Sequence, residues 1–247
     1  MAKTVYVGSA RSDENGAAHS GKAGDQKQGK EVSTQAWYKH SKGWRVFRPI
    51  DPVHAIIIAK IMRWACESDL IGYDQYQRNT LYTELAKAGF TGNPVLTKAV
   101  ETDCSALVRV CLAFCGIDVP AEFRTANMAN YMLDTGMFIE MKSSKYTDQQ
   151  DYLGEGDILV TKTSGHTVVA LNNGEKFEGV SSLAAVPEGN LKVKSGTWRI
   201  RTGPGTEFET VDYVRVGDTL AEVNAEGWVP VLHKGKVLWI SKNAVEE

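Results

Sequence analysis

Cys104 and His166 are the two side chains of this sequence whose types and settings could do chemistry together. Asp103-Cys104-Ser105 opens an amphipathic run that reads as a helix, and Gly165-His166 opens an apolar alternating strand about sixty residues later. A cysteine in the first turn of a helix has exposed N–H groups and the helix dipole to favour a thiolate. An imidazole brought beside it can take the thiol proton and return it to a leaving group. That is the chemistry of a cysteine hydrolase.

The elements that must position this pair can be read in outline. Thr102 and Asp103 are N-cap candidates, since their oxygens can accept from N–H groups one turn on. The helix runs through Ala106-Leu107-Val108 to Phe114 and ends at Gly116, with Pro120 beyond it. Cys104, Cys111 and Cys115 share a helical stripe with Val108 and Leu112. Cysteine is among the most buried residue types, so Cys111, Cys115 and the separate Cys66 read as core. Cys104 differs by standing at the helix start.

The run Asp103-Cys104-Ser105-Ala106-Leu107-Val108 resembles the D-C-S-G-L-V signature of NlpC-type cell-wall cysteine peptidases, with Ala106 in place of its glycine. Gly156-Asp157-Ile158-Leu159-Val160, followed by Gly165-His166-Thr167-Val168-Val169-Ala170-Leu171, resembles the G-D-L-V-F … H-V-G-I-Y segment of the same family. The resemblance implies an α+β fold of papain-like type, with N-terminal helices packed on an antiparallel sheet. It implies that Cys104 attacks an amide of the peptidoglycan stem peptide and that His166 is the base. It also implies a third polar residue that orients the base, twelve positions after it, which here is Glu178. Ile71-Gly72-Tyr73-Asp74-Gln75 resembles the L-G-x-P-Y segment before the family's nucleophile, without its W-G-G. Tyr73, with Asp103 and Ser105 flanking the cysteine, is therefore a substrate-binding candidate. A helix from Gln75 to Gly89 is expected between them.

Glu178 can be tested by strand register. Residues 172–174, Asn-Asn-Gly, read as a turn into a second strand through Phe177 and Val180. A three-residue loop pairs 168 with 178 and sets Glu178 on the face of His166. A two-residue Asn173-Gly174 loop sends it to the other face. Both registers are open, and Asn172 is the substitute orienting residue.

From about Leu191 short alternating strands are separated by Gly and Pro. Gly196-Thr197-Trp198-Arg199-Ile200-Arg201-Thr202-Gly203-Pro204-Gly205 resembles the L-N-V-R-S-G-P motif of bacterial SH3-like domains, and Gly227-Trp228-Val229-Pro230-Val231 and Gly235-Lys236-Val237-Leu238-Trp239-Ile240 resemble its later strands. The resemblance implies a small all-β barrel that binds the bacterial wall. Trp198, Trp228 and Trp239 read mainly as its core. The expected domains are 1–189, catalytic with an extended N-terminal region, and 190–247, SH3-like.

The chain has 247 residues, enough for two domains, and a formal charge of −2. The balance is near even on both sides of Asn190, which argues against a nucleic-acid surface. Four cysteines without paired spacing do not form a disulfide framework. Residues 1–10 carry no long apolar run, and Ile56-Ile57-Ile58 is broken by Lys60 and Arg63, so neither a secretory signal nor a membrane span is expected. A wall hydrolase of that kind fits a phage or prophage endolysin, made in the cytoplasm and released to the wall. No cofactor or metal is called for, because His19, His40, His54 and His233 lack ligand spacing and read as surface or satisfied histidines. Residues 8–34 are rich in Gly, Ser, Lys and Asp without a phosphate-loop ending. Trp37 to Phe47 is expected to form a hairpin near the cleft, and Val53 to Cys66 a helix with Ile57, Ile61 and Ala65 inward. Muramoyl–L-alanine amidase activity, a non-catalytic wall-binding phage structural protein, and a related acyltransferase or toxin-like peptidase are the competing readings.

Overall fold

The structure is a computed structural model that describes residues 3–26, 29–178, 190–201, 206, 210–217, 219–222, 228–233, 236–241 and 245–246. The chain divides into two compact units, Met1–Glu178 and Gly179–Glu247.

In the first unit the elements run β1 (Tyr6–Ala10), β2 (Val32–Ala36), β3 (Trp44–Pro49), α1 (Pro52–Cys66), β4 (Ile71–Tyr73), α2 (Thr80–Ala86), β5 (Val100–Thr102), α3 (Cys104–Phe114), α4 (Met128–Asp134), β6 (Phe138–Glu140), α5 (Ser144–Thr147), β7 (Ile158–Thr161) and β8 (Thr167–Ala170). One antiparallel sheet has the order β2-β1-β8-β7-β3-β6, and β4 and β5 form a separate parallel pair. The architecture is α+β, and the N-terminal part supplies three strands of the sheet as well as α1, which packs on it. Residues 37–47 are no hairpin, because β1, β8 and β7 lie between β2 and β3.

Local sequence explains the two long helices. Asp51 caps α1 by accepting from the Val53 N–H at 2.8 Å, and Pro52 follows with its preset φ. Ile58, Ile61, Met62 and Ala65 recur at helical spacing and are buried. In α3, Val108, Val110 and Cys111 are indifferent helix formers, so burial must hold it. Leu107, Val108, Val110, Cys111 and Leu112 join the α1 stripe and Ala10, Val32, Phe47, Ile158, Val160 and Val169 of the sheet in one core. Each such side chain contributes about 1.5–3 kcal/mol on burial. α2 is shorter than the sequence implies. The Asp74 carboxylate accepts from the Tyr76 and Gln77 N–H groups, so residues 75–79 turn instead of continuing a helix.

The second unit holds β9 (Asn190–Val193), β10 (Thr197–Arg201), β11 (Thr210–Arg215), β12 (Thr219–Glu222), β13 (Trp228–His233), β14 (Lys236–Ser241) and β15 (Val245–Glu246), in the order β11-β10-β14-β13-β12-β9-β15. Val193, Ile200, Val214, Leu220, Ile240 and Val245 form its core, with Trp198 packed against it. The Trp228 and Trp239 side chains and the 202–205 turn lie outside the described residues. Among the described residues no helix is long and apolar enough to cross a membrane.

A buried ion pair ties the sheet to the loop before β7. Arg48 Nε and Nη2 donate to the two Asp157 oxygens at 2.7 Å each, and Nη2 also donates to Tyr152 O at 2.8 Å. The two side chains are 2% and 0% exposed. Arg48→Ala leaves Asp157 buried and uncompensated, so it should cost about 3–5 kcal/mol of unfolding free energy. Urea denaturation checks this, and a loss below about 1 kcal/mol would show that the pair is dispensable.

Candidate functional site

Cys104 is the first residue of α3. Asp103 caps the helix, its Oδ1 accepting from the Ala106 N–H at 2.7 Å. The residue is 6% exposed. Burial pushes the thiol up to about 12, helped by the Asp103 charge, while the Thr167 and Ser105 N–H groups directed at the sulfur oppose the rise. At rest Cys104 is therefore a thiol. Thr167 opens β8, so the backbone of the residue just before it, His166, adjoins the sulfur.

His166 is held from its backbone. Its N–H donates to Thr161 Oγ1 at 3.1 Å, and its carbonyl accepts from the Thr161 N–H at 3.0 Å. The loop that delivers it needs positive φ at Ser164 (59°) and Gly165 (116°), and the Gly165 N–H donates to Thr125 Oγ1. The imidazole is lowered to about 4, by burial first, then by Arg11 and His40. It is neutral at pH 7. Its ring lies 6.4 Å from that of His40 and 6.5 Å from that of Trp44, centroid to centroid. A neutral thiol beside a neutral imidazole suits general-base attack, in which the proton leaves as the sulfur bonds, rather than a standing thiolate–imidazolium pair.

The N-terminal segment completes the site: residues 37–47 were expected near the cleft as a hairpin, and they lie there without forming one. Tyr38 sits close enough to Cys104 to feel its charge, and its hydroxyl hydrogen-bonds the Gln35 and Arg11 side chains. Trp44 Nε1 donates to Tyr38 O at 2.8 Å. His40 was read as a surface or satisfied histidine. Its Nδ1 accepts from the Lys42 N–H at 3.0 Å, and its ring packs on Trp44 and near His166.

A family model, the endolysin-like domain, matches residues 7–177. The chain belongs to the endolysin-like domain family. No curated protein matches it.

Within this endolysin-like domain the remaining expected residues part company. Tyr73 pairs with Thr102 across β4–β5, two residues before Cys104. It is buried beside Cys104, its hydroxyl accepting from Gln75 Nε2 at 3.0 Å. Asp103 and Ser105 are not turned to substrate. Asp103 takes a fork of two hydrogen bonds from Arg78, Ser105 Oγ bonds both Asp103 Oδ1 and Arg78, and all three are buried. Arg78 also donates to the Ala121 and Phe123 carbonyls, so the network fixes the α3 start.

Glu178 is not brought to His166. Its carboxylate meets Lys145 at 3.5 Å in the open, and its carbonyl accepts from Arg48. Residues 171–178 form no strand, because β8 is already flanked by β1 and β7. Arg48 is four residues along β3 from Trp44, so Glu178 lies roughly 13 Å down the sheet from the His166 end. Asn172 is also at the far end of β8, where Oδ1 accepts from the Tyr6 N–H and Nδ2 donates to Thr4 O. Among the described residues no side chain hydrogen-bonds the His166 ring, and no group of three or more His, Cys, Asp or Glu is arranged to hold a metal.

One carboxyl near the site is out of balance. Glu101, across from Gly72 in the β4–β5 pair, is 4% exposed, and neither oxygen completes a hydrogen bond. Gly72 has to be glycine, since a Cβ there would lie 2.5 Å from Gly24 O and 2.8 Å from Glu101 Oε2. Burial raises Glu101 to about 8, aided by Glu31, Asp74 and Glu14, against the nearby Gly24 N–H. Its folded value is above its ordinary 4.5, so between about pH 4.5 and 8 the folded protein keeps a proton that the unfolded chain has lost. That stabilisation is full below about pH 4.5 and is lost as the pH rises through 8. Glu101→Gln should therefore lose less stability than the parent between pH 5 and 8 in urea titrations. Parallel losses in the two proteins would refute the assignment.

Proposed function

We propose that the chain is a peptidoglycan hydrolase of papain-like, NlpC type, a lytic enzyme of phage or prophage kind, which cuts an amide of the stem peptide. The observation that carries this is the junction of α3 with β8. The Cys104 sulfur at the helix start faces the Thr167 N–H, and the base His166 immediately precedes that residue. In this reading Cys104 attacks the amide carbon as its proton passes to His166. The Thr167 and Ser105 N–H groups steady the sulfur as its proton leaves, His166 returns that proton to the leaving amine, and a water that gives its proton to His166 then attacks the thioester, releasing the acid and restoring the Cys104 thiol. Trp44 and His40 confine the imidazole ring, and Tyr38 and Tyr73 wall the sulfur. Cleavage inside the stem is preferred to cleavage at the muramoyl amide.

Digestion of purified walls by the full chain, followed by mass analysis, tests this. A new amino terminus within the stem marks an endopeptidase, and release of whole stems from L-alanine marks an amidase. Cys104→Ala should lower the rate by on the order of 10⁴-fold or more with an unchanged circular dichroism spectrum. If Cys104→Ala digests walls as fast as the parent, the mechanism is wrong.

The second unit takes the role of an SH3-like wall-binding module. Residues 1–178 alone should cleave small soluble stem peptides at the parental rate, since Cys104 and His166 both lie in that unit. Their lysis of intact walls should fall by about 10²-fold, because a tethered second site raises the local concentration of enzyme. Equal lysis of whole walls by both proteins would remove the targeting role.

A further inference from the structure

Asp74 holds together two segments that are distant in sequence. It is 4% exposed, and its carboxylate accepts from the Ser20 N–H at 2.7 Å and from the Tyr76 and Gln77 N–H groups. Beside it the Gln75 N–H donates to Ala18 O at 2.9 Å. Ser20 takes a positive φ of 74° here, a conformation that costs a serine energy and persists only where the surroundings impose it. The outcome is a fixed pair of rings. His19 and Tyr76 stack with centroids 4.3 Å apart and planes 13° from parallel. His19 covers one face of Tyr76, yet the residue is 73% exposed, so the other face lies open to water.

This stack borders the Cys104 site. The Asp74 N–H donates to the carbonyl of Thr102, two residues before Cys104, at 3.0 Å. Gln75 Nε2 donates to the hydroxyl of Tyr73, which is buried beside Cys104. From Tyr73 to Tyr76 the chain can span no more than about 11 Å. The neighbours of the open face are polar. Gln75 and Gln77 flank Tyr76 in sequence and are exposed, and Ser20 is exposed next to His19. A protein partner or a membrane needs a contiguous apolar patch. One open ring face among amides and a hydroxyl suits a pyranose. Its axial C–H groups pack flat on an aromatic ring, while its hydroxyl and acetamido groups hydrogen-bond amide side chains.

We propose that Tyr76, backed by His19, is a stacking platform for a sugar ring of the glycan strand, a subsite that seats the saccharide end of the substrate while the stem peptide enters the Cys104 site. This rests on the hydrolase reading above for the substrate to which the sugar belongs. An amide two residues into a stem lies about 7 Å of chain from the acyl group that joins the stem to its sugar, the same order as the span from Tyr73 to Tyr76. A sugar on this platform is remote from the reacting atoms. It is held equally in the ground and transition states, so its contribution falls on KM.

Two soluble substrates with the same stem, one carrying its disaccharide and one with the sugars removed, test this with the full chain. The parent should cleave the disaccharide form with a KM about tenfold lower and a similar kcat. Tyr76→Ala should bring the two KM values together, and Tyr76→Trp should keep them apart, with thermal melts to check that both variants fold. A merely structural role for Tyr76 lowers kcat on both substrates and leaves their KM ratio at the parental value. That result, or equal KM values in the parent, overturns the platform and leaves the hydrolase reading standing. A second measurement needs no turnover. Titration of the full chain with an oligosaccharide of β-linked N-acetylglucosamine should shift the Tyr76 ring protons in NMR spectra, and His19→Ala should weaken that shift. If neither substrate is cleaved and walls stay intact, the hydrolase reading falls, and the titration decides the platform: shifted Tyr76 signals uphold a saccharide site, and unmoved ones overturn it.

Discussion

The site depends on the pairing of the first strand with the last strand of the same unit. β1 closes on β8 across some 160 residues of chain. Asn172 clamps the far end of that ladder through Thr4 and Tyr6, and Ser9 Oγ donates to Thr167 O at 2.7 Å near the catalytic end. Closing so long a loop has a large entropic cost, recovered only when the apolar faces of β1 and β8 are buried together. Val7, Ala10, Val168, Val169 and Ala170 supply that burial, all essentially inaccessible to solvent. Once β1 occupies this edge of β8, the residues after Gly174 have no place beside β8. The residues beside His166 then come from the amino-terminal segment.

Two buried ion pairs set the geometry around this ladder. Arg48 gathers Asp157, Tyr152 and Glu178 at one end of the sheet, with its guanidinium over the Tyr146 and Phe177 rings. Arg78 gathers Asp103, Ser105, Ala121 and Phe123 at the start of α3. Such pairs add little net stability over apolar packing, but each accepts few alternative arrangements. Here the second pair decides the direction in which α3 points its first residue, and hence where the thiol sits.

The electrostatics of the resting site follow from burial. The thiol is held protonated and the imidazole neutral, and both shifts have loss of water as their largest cause. The charge of Arg11 pushes in the same direction, since a cation near an imidazole disfavours its second proton.

Local patterns in the sequence were enough to set Cys104 at the start of a helix and His166 at the start of a strand, and to find the elements that carry them. The Asp103 cap, the apolar stripe of α3, the α1 helix and the alternation after Gly165 all act over a few residues, where hydrogen-bond geometry and side-chain period decide the outcome. The strand-rich character of the last sixty residues was legible for the same reason. Tertiary structure alone decided the rest. Glu178 was placed by assuming that β8 continues into a hairpin, and only the competition of β1 for the same edge excludes it. Asp103 and Ser105 read as substrate contacts until Arg78, in a segment that reads locally as helix, turns out to be buried against them. Tyr38, His40 and Trp44 were legible only as an aromatic-rich run expected near the cleft, and Arg11 gave no local signal. Their approach to Cys104 and His166 is a product of sheet order, and strand order depends on which distant apolar faces bury each other best.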